Sequence, residues 1–106
     1  MPKGERLKVN GLRNCIGERV RELREKLDLT QDQLCGRIAH ETNAWADLGT
    51  QWSPTNLEIH RIEFGVRSVL DFEIIALSRV LGVSPMDLLP RNLDELRQPA
   101  VPSSPE

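Results

Sequence analysis

Two helix-boundary signals constrain this chain more than any other feature. In Leu29-Thr30-Gln31-Asp32-Gln33-Leu34, Thr30 stands where an N-cap hydroxyl would accept an orphan backbone N–H. Gln33, three positions on, can reach back to close a capping box, so a helix is expected to begin here. In Ile59-His60-Arg61-Ile62-Glu63-Phe64-Gly65, two isoleucines at i, i+3 spacing precede a glycine, which reads as a helix with one buried edge and a defined stop. A chain carrying both signals in this order must pack helix against helix.

The rest of the chain supplies the partners. From Asn14 to Asp28 the apolar residues Ile16, Val20, Leu23 and Leu27 form the stripe of an amphipathic helix, with Asn14 as its N-cap. The second helix, starting at Thr30, turns Leu34 and Ile38 inward. Trp45 and Leu48 continue that stripe, so it is expected to run to Asp47 or Leu48 and to stop at Gly49. A loop over 49–52 leads to Ser53-Pro54, where Ser53 competes with Thr55 as the cap of the third helix, which runs to Phe64. Asp71 caps a fourth helix whose inward residues are Ile74 or Ile75, Leu77, Val80 and Leu81, ending at Gly82. Ser84-Pro85-Met86-Asp87 repeats the cap-then-proline pattern and starts a short fifth helix through Leu89.

With 106 residues there is room for one small domain, spanning 14–90. No Tyr, two Trp and two Phe leave the core to aliphatic side chains. Residues 1–13, polar and basic, read as a flexible arm of the kind that reaches a minor groove or is simply solvated. Residues 91–106 carry Pro99, Pro102 and Pro105 and read as a disordered tail. No apolar run approaches the roughly 20 residues that cross a membrane. Met1–Arg6 precede no signal-like hydrophobic segment, so the expected compartment is the cytosol.

Several chemistries are disfavoured. Cys15 and Cys35 make no disulfide framework and read as small buried side chains. Together with His40 and His60 they fit no paired zinc-ligand spacing, so neither a metal nor a cofactor is expected. There is no Gly-rich phosphate loop, nucleophile elbow or HExxH, which argues against an enzyme. The net charge of −2 is unevenly spread: residues 1–40 carry +3 and residues 41–106 carry −5. A nucleic-acid binder needs a local basic patch rather than a basic whole.

Four segments, taken in order, resemble the Cro/phage-repressor, or XRE-type, helix-turn-helix family. They are Ile16-Gly17-Glu18-Arg19-Val20-Arg21-Glu22-Leu23-Arg24-Glu25; Leu29-Thr30-Gln31 with Leu34; Ile59-x-x-Ile62-Glu63-x-Gly65; and Leu77-x-x-Val80-Leu81-Gly82-Val83-Ser84-Pro85-x-Asp87-Leu88-Leu89. The resemblance, covering Ile16 to Leu89, implies an all-α, compact five-helix lambda-repressor-like bundle. It also implies a transcriptional regulator, repressor-like and probing double-stranded DNA with the helix at about 55–64. Position by position it assigns base contacts to Asn56, Leu57 and Arg61, where arginine suits guanine and asparagine suits adenine. It assigns phosphate contacts to Gln31, Thr55, Phe64 and Arg67, and a structural ion pair to Arg24 and Glu63. His60 is either a DNA contact or a plain surface histidine, and Glu58 suits only a cytosine amino group. A homodimer on paired half-sites is the implied assembly.

The chain departs from that family in one place. Compact members put roughly eleven positions between the second and third helix caps, whereas Thr30 and Thr55 lie 25 apart. The insert, at about 40–52, is either a spacer that packs Trp45 and Trp52 into a larger core or an added interface, tryptophan being common at contact hot spots. The second possibility, with the acidic second half and Glu58, supports an alternative reading as a protein-interaction module. An antitoxin whose tail folds on a protein partner is a special case of it.

Overall fold

The structure, a computed structural model, describes residues 8–92. The expectations for residues 1–7 and 93–106 lie outside them. Among the described residues the chain is helical, with α1 (Gly17–Lys26), α2 (Gln31–Asn43), α3 (Asn56–Glu63) and α4 (Asp71–Leu81). Single 3-10 turns occupy Ala46–Leu48 and Pro85–Leu88. None of these helices is long and apolar enough to cross a membrane.

The four helices share one aliphatic core: Ile16, Val20 and Leu23 from the first, Leu34 and Ile38 from the second, Ile59 and Ile62 from the third, Leu77 and Leu81 from the fourth. Leu29 and Leu88 close it from the connecting segments. The apolar spacing of the sequence is thus matched by burial, which is where an amphipathic helix gains most of its stability.

Differences from the sequence-based expectations have local causes. Leu27 does not extend the α1 stripe; it is 47% exposed. Asp28 adopts a left-handed φ of 58° and bends the chain, so Leu29 takes the core position instead. Asp is one of the few side chains that tolerates that conformation.

The second helix also ends early, at Asn43 rather than Asp47 or Leu48. Thr42 sets this end. Its buried hydroxyl accepts the N–H of Trp52 at 3.0 Å and lies 2.9 Å from the Ile38 carbonyl and 3.0 Å from that of Trp52. The incoming strand of chain is thereby clamped against the last turn of the helix. Trp45 and Leu48 consequently leave the core stripe, and Leu48 is 76% exposed. Trp52 packs against the core. Gly49, in a left-handed conformation, ends the 3-10 turn rather than the helix.

At α4 the N-cap is Leu70, not Asp71; Glu73 accepts the Leu70 N–H at 2.9 Å. Ile74 packs on the core while Ile75 stays exposed. The expected fifth helix is one 3-10 turn held by Ser84 and Asp87, with the Asp87 N–H on the Ser84 carbonyl at 2.9 Å. Leu89 then becomes extended, as residues before proline tend to be, and the helix cannot propagate.

Part of the expected arm is ordered into a turn. Val9 and Leu12 exchange both backbone hydrogen bonds at 3.0 Å around Asn10 and Gly11, whose φ values are 56° and 81°. Two successive positive φ values make this a type I′ turn, which Asn-Gly favours.

Candidate nucleic-acid interface

The eight residues of α3 are too few to hold a helix alone, so its shape is imposed by caps and neighbours. Thr55 wins over Ser53 as N-cap: its hydroxyl accepts the Glu58 N–H and the Glu58 carboxylate accepts the Thr55 N–H, both at 3.2 Å. At the other end Gly65 (φ 75°) donates to the Ile62 carbonyl, and Val66 donates to that of Arg61. This crossed pair is a Schellman closure, which needs the left-handed residue that glycine supplies.

Three contacts then fix the orientation of α3. The Glu63 carboxylate, buried, accepts from Arg24 Nε at 2.6 Å and Arg24 Nη2 at 3.1 Å. Arg24 Nη1 donates to the Leu29 carbonyl at 2.7 Å, so this one guanidinium joins α1, α3 and the α1–α2 corner. Its pKa is raised, chiefly by the hydrogen bond to Glu63, against a smaller opposing effect of desolvation. Second, Asn14 accepts the N–H groups of Ile16 and Gly17 and donates to the carbonyls of Ile62 and Arg67 at 3.0 and 2.8 Å. The N-cap position of α1 falls to Ile16 rather than to Asn14, which from two residues before it accepts the first N–H groups while satisfying the end of α3. Third, Gly17 lies against the α3 backbone so closely that a Cβ there would collide with the Ile62 carbonyl oxygen and sit 2.8 Å from that of Glu63.

With Ile59, Ile62 and Glu63 turned inward, the opposite face is exposed: Asn56, Leu57, His60, Arg61 and Phe64. Asn56, Leu57 and Arg61, the residues matched to base contacts, therefore share one outward surface. The Arg61 side chain makes no hydrogen bond or ion pair within the described residues. The Phe64 ring lies 4.6 Å from His60, and the Arg21 guanidinium sits over it at 5.8 Å. Such stacking brings a further cation to the end of the helix.

The residues matched to phosphate contacts divide. Thr55 and Phe64 are exposed at the two ends of α3. Gln31 is half-buried, and its amide donates to Glu63 Oε1 at 3.1 Å, so it joins the cluster inside. Arg67 is the most heavily engaged of them. Its guanidinium donates to both Glu73 oxygens at 2.9 and 2.8 Å and to the Ser68 carbonyl at 2.8 Å, and it lies over the Trp52 ring at 5.8 Å. Its pKa is raised, first by the Glu73 hydrogen bond. A phosphate at Arg67 would have to displace this bidentate carboxylate. Glu58, engaged with Thr55, is likewise a capping residue.

These pairings bear on the acidic balance. Glu63, Glu73 and Glu41 are each tied to an arginine, Glu41 to Arg79 at 2.6 Å. Arg13, Arg21 and Arg61 near α3 are matched by no such carboxylate. Sequence reasoning missed Arg13, Gly17 and Thr42. The Asn10-Gly11 dipeptide between Val9 and Leu12 was the available signal for Arg13; nothing local marks Gly17, which meets Ile62 and Glu63, or Thr42, whose bond to Trp52 depends on how the connecting segment folds back. Among the described residues no group of His, Cys, Asp or Glu is arranged to hold a metal ion. No family model, curated protein or solved structure matches this chain.

Proposed function

We propose that the chain is a sequence-specific DNA-binding transcriptional regulator of the repressor-like helix-turn-helix kind, with α3 as its major-groove reading helix. The observation that carries this reading is the exposed set Asn56, Leu57, His60 and Arg61 on a short helix fixed through Glu63, Asn14 and Gly17. Reading base edges requires side chains presented on a rigid support, because a loose helix would lose register and pay ordering entropy on binding. The Arg61 side chain, without a partner among the described residues, has the bidentate donor pair that guanine O6 and N7 accept, and Asn56 has the donor–acceptor pair that adenine presents. Leu57 offers apolar contact to a thymine methyl.

One α3 spans few base pairs, so two copies on paired half-sites supply the specificity of a regulator. With no further domain between 8 and 92, occlusion of a promoter is the simplest mode of repression. The twelve residues between Asn43 and Asn56 replace a tight turn, yet both helices bury their apolar edges in the same core.

The test is titration of a labelled mixed-sequence duplex with the full chain at rising salt. The reading predicts binding at about 50 mM salt and a log–log slope of about −0.9 per phosphate contacted. Absence of binding at that low salt overturns it.

One observation favours a second reading, a protein-interaction module on the same fold. Leu70, Phe72 and Ile75 lie exposed by 59%, 60% and 40% along the start of α4. Contiguous exposed apolar residues mark contact surfaces. Under this reading Phe72→Glu abolishes function while duplex binding is absent throughout.

A further inference from the structure

We propose that Arg13, rather than Arg67, is the arginine that grips the DNA backbone beside the end of α3, an inference that rests on the reading of α3 as a major-groove helix. The type I′ turn at Val9–Leu12 reverses the chain and delivers Arg13 to this place. There the Arg13 N–H donates to the Gly65 carbonyl at 2.8 Å, and the Leu12 side chain lies against Gly65. The backbone of Arg13 is therefore fixed to the Schellman closure of α3. Its side chain is exposed and makes no hydrogen bond or ion pair within the described residues.

Arg13 opens on a cleft of about 620 Å³ that it shares with Arg61, Arg67, Glu58 and Val66. Two of those four charged groups are already engaged. Glu73 holds Arg67 bidentately, and the Thr55 capping box holds Glu58. Arg13 and Arg61 are the cations left to act, one beside α3 and one on its outward face.

The dimensions of a duplex say what each would meet. A helix with its side chains is about 10–12 Å across and the major groove about 12 Å wide, so a helix seated there has phosphates along both flanks. Arg61, on the outward face, points at base edges. Arg13, on a turn beside the helix, meets the wall. A guanidinium binds two phosphate oxygens at once, and the anchored backbone lessens the ordering cost of doing so. Such a contact positions the protein without reading sequence.

The experiment compares salt titrations on the mixed-sequence duplex for the native chain, Arg13→Gln, Arg13→Lys and Arg19→Gln. Arg19 is the control of equal charge: it lies on α1 against the Pro85–Leu88 turn, bonded to Glu22 and to the Asp87 carbonyl. Arg13→Gln should weaken binding and lower the slope by about 0.9, so its deficit shrinks roughly threefold between 50 and 200 mM salt. Arg13→Lys should hold close to the native slope, Arg19→Gln should match the native chain, and preferred sequence should not change with any of them. Native binding with an unchanged slope in Arg13→Gln, or an equal loss in Arg19→Gln, overturns the contact and leaves the DNA reading standing. Failure of the native chain to bind overturns both.

Discussion

Arg24 and Glu63, 39 residues apart, are joined by two hydrogen bonds of 2.6 and 3.1 Å, and the Glu63 side chain has no exposure to solvent. A carboxylate so placed cannot be rehydrated without moving α3. Removing only the arginine leaves that carboxylate with the Gln31 amide as its remaining side-chain partner. Arg24→Met should therefore cost about 3–5 kcal/mol in urea unfolding. The double variant Arg24→Met/Glu63→Leu should recover most of that loss, because two apolar side chains need no pairing. A double variant as unstable as the single one would contradict this account.

Gly17 predicts a different failure. Gly17→Ala places a methyl on the Ile62 carbonyl, and a backbone atom cannot rotate away as a side chain can. The α1–α3 crossing must open, with a loss of about 1–3 kcal/mol or more. Duplex affinity should fall beyond what the unfolded fraction explains, because α3 shifts on its support. Thermal melts and binding on the same samples separate the two effects.

Arg67 should behave as a structural residue. Its pairing with Glu73 is partly exposed, at 25% and 11%, so solvent screening limits its value to about 1–2 kcal/mol. Arg67→Gln should lower stability by that amount, and a double-mutant cycle with Glu73→Gln should show coupling. The salt slope of duplex binding should stay native. A slope reduced by one contact would return Arg67 to the phosphate set.

The two cysteines give a pH signature. Burial pushes the Cys15 thiol up, partly offset by a backbone hydrogen bond. Burial does the same at Cys35, with the Asp32 carboxylate adding to it, a backbone hydrogen bond opposing and Glu58 adding further. A raised thiol pKa means less thiolate at a given pH, so alkylation at pH 8 should be slower in the folded chain than in urea. The inflection of rate against pH should lie above that of free cysteine. The sign for folding follows: the neutral thiols favour the native state, and that contribution declines as pH rises through the thiol range. An inflection below free cysteine would contradict it.

Much of this structure was legible in the sequence, and the parts that were not have more than one cause. The Thr30-x-x-Gln33 box forms as its spacing announces, and Thr55 takes the cap for which Ser53 competed, with Glu58 closing a second box that was not read in advance. The core stripes follow local period as far as Leu23 in α1 and Ile38 in α2, but not at Leu27, Trp45 or Leu48. The end of α2 was missed because Thr42 bonds Trp52, ten residues on, which no spacing within the helix announces, whereas Asp28, Leu70 and Leu89 shift the other boundaries locally. At the site, the exposure of Asn56, Leu57 and Arg61 follows from helical period. The engagement of Arg67 with Glu73 and the delivery of Arg13 to Gly65 depend on how connecting segments fold back. The Asn10-Gly11 turn was readable locally, but its docking partner was not.

The central claim is that the outward face of α3 reads base sequence, and selection from a random duplex pool tests it most directly. The native chain should enrich one defined sequence. Arg61→Ala should bind more weakly and lose its preference at the position Arg61 contacts, a change worth about 1–3 kcal/mol of discrimination there. Enrichment of the same sequence by Arg61→Ala, or no enrichment by the native chain, would contradict the account.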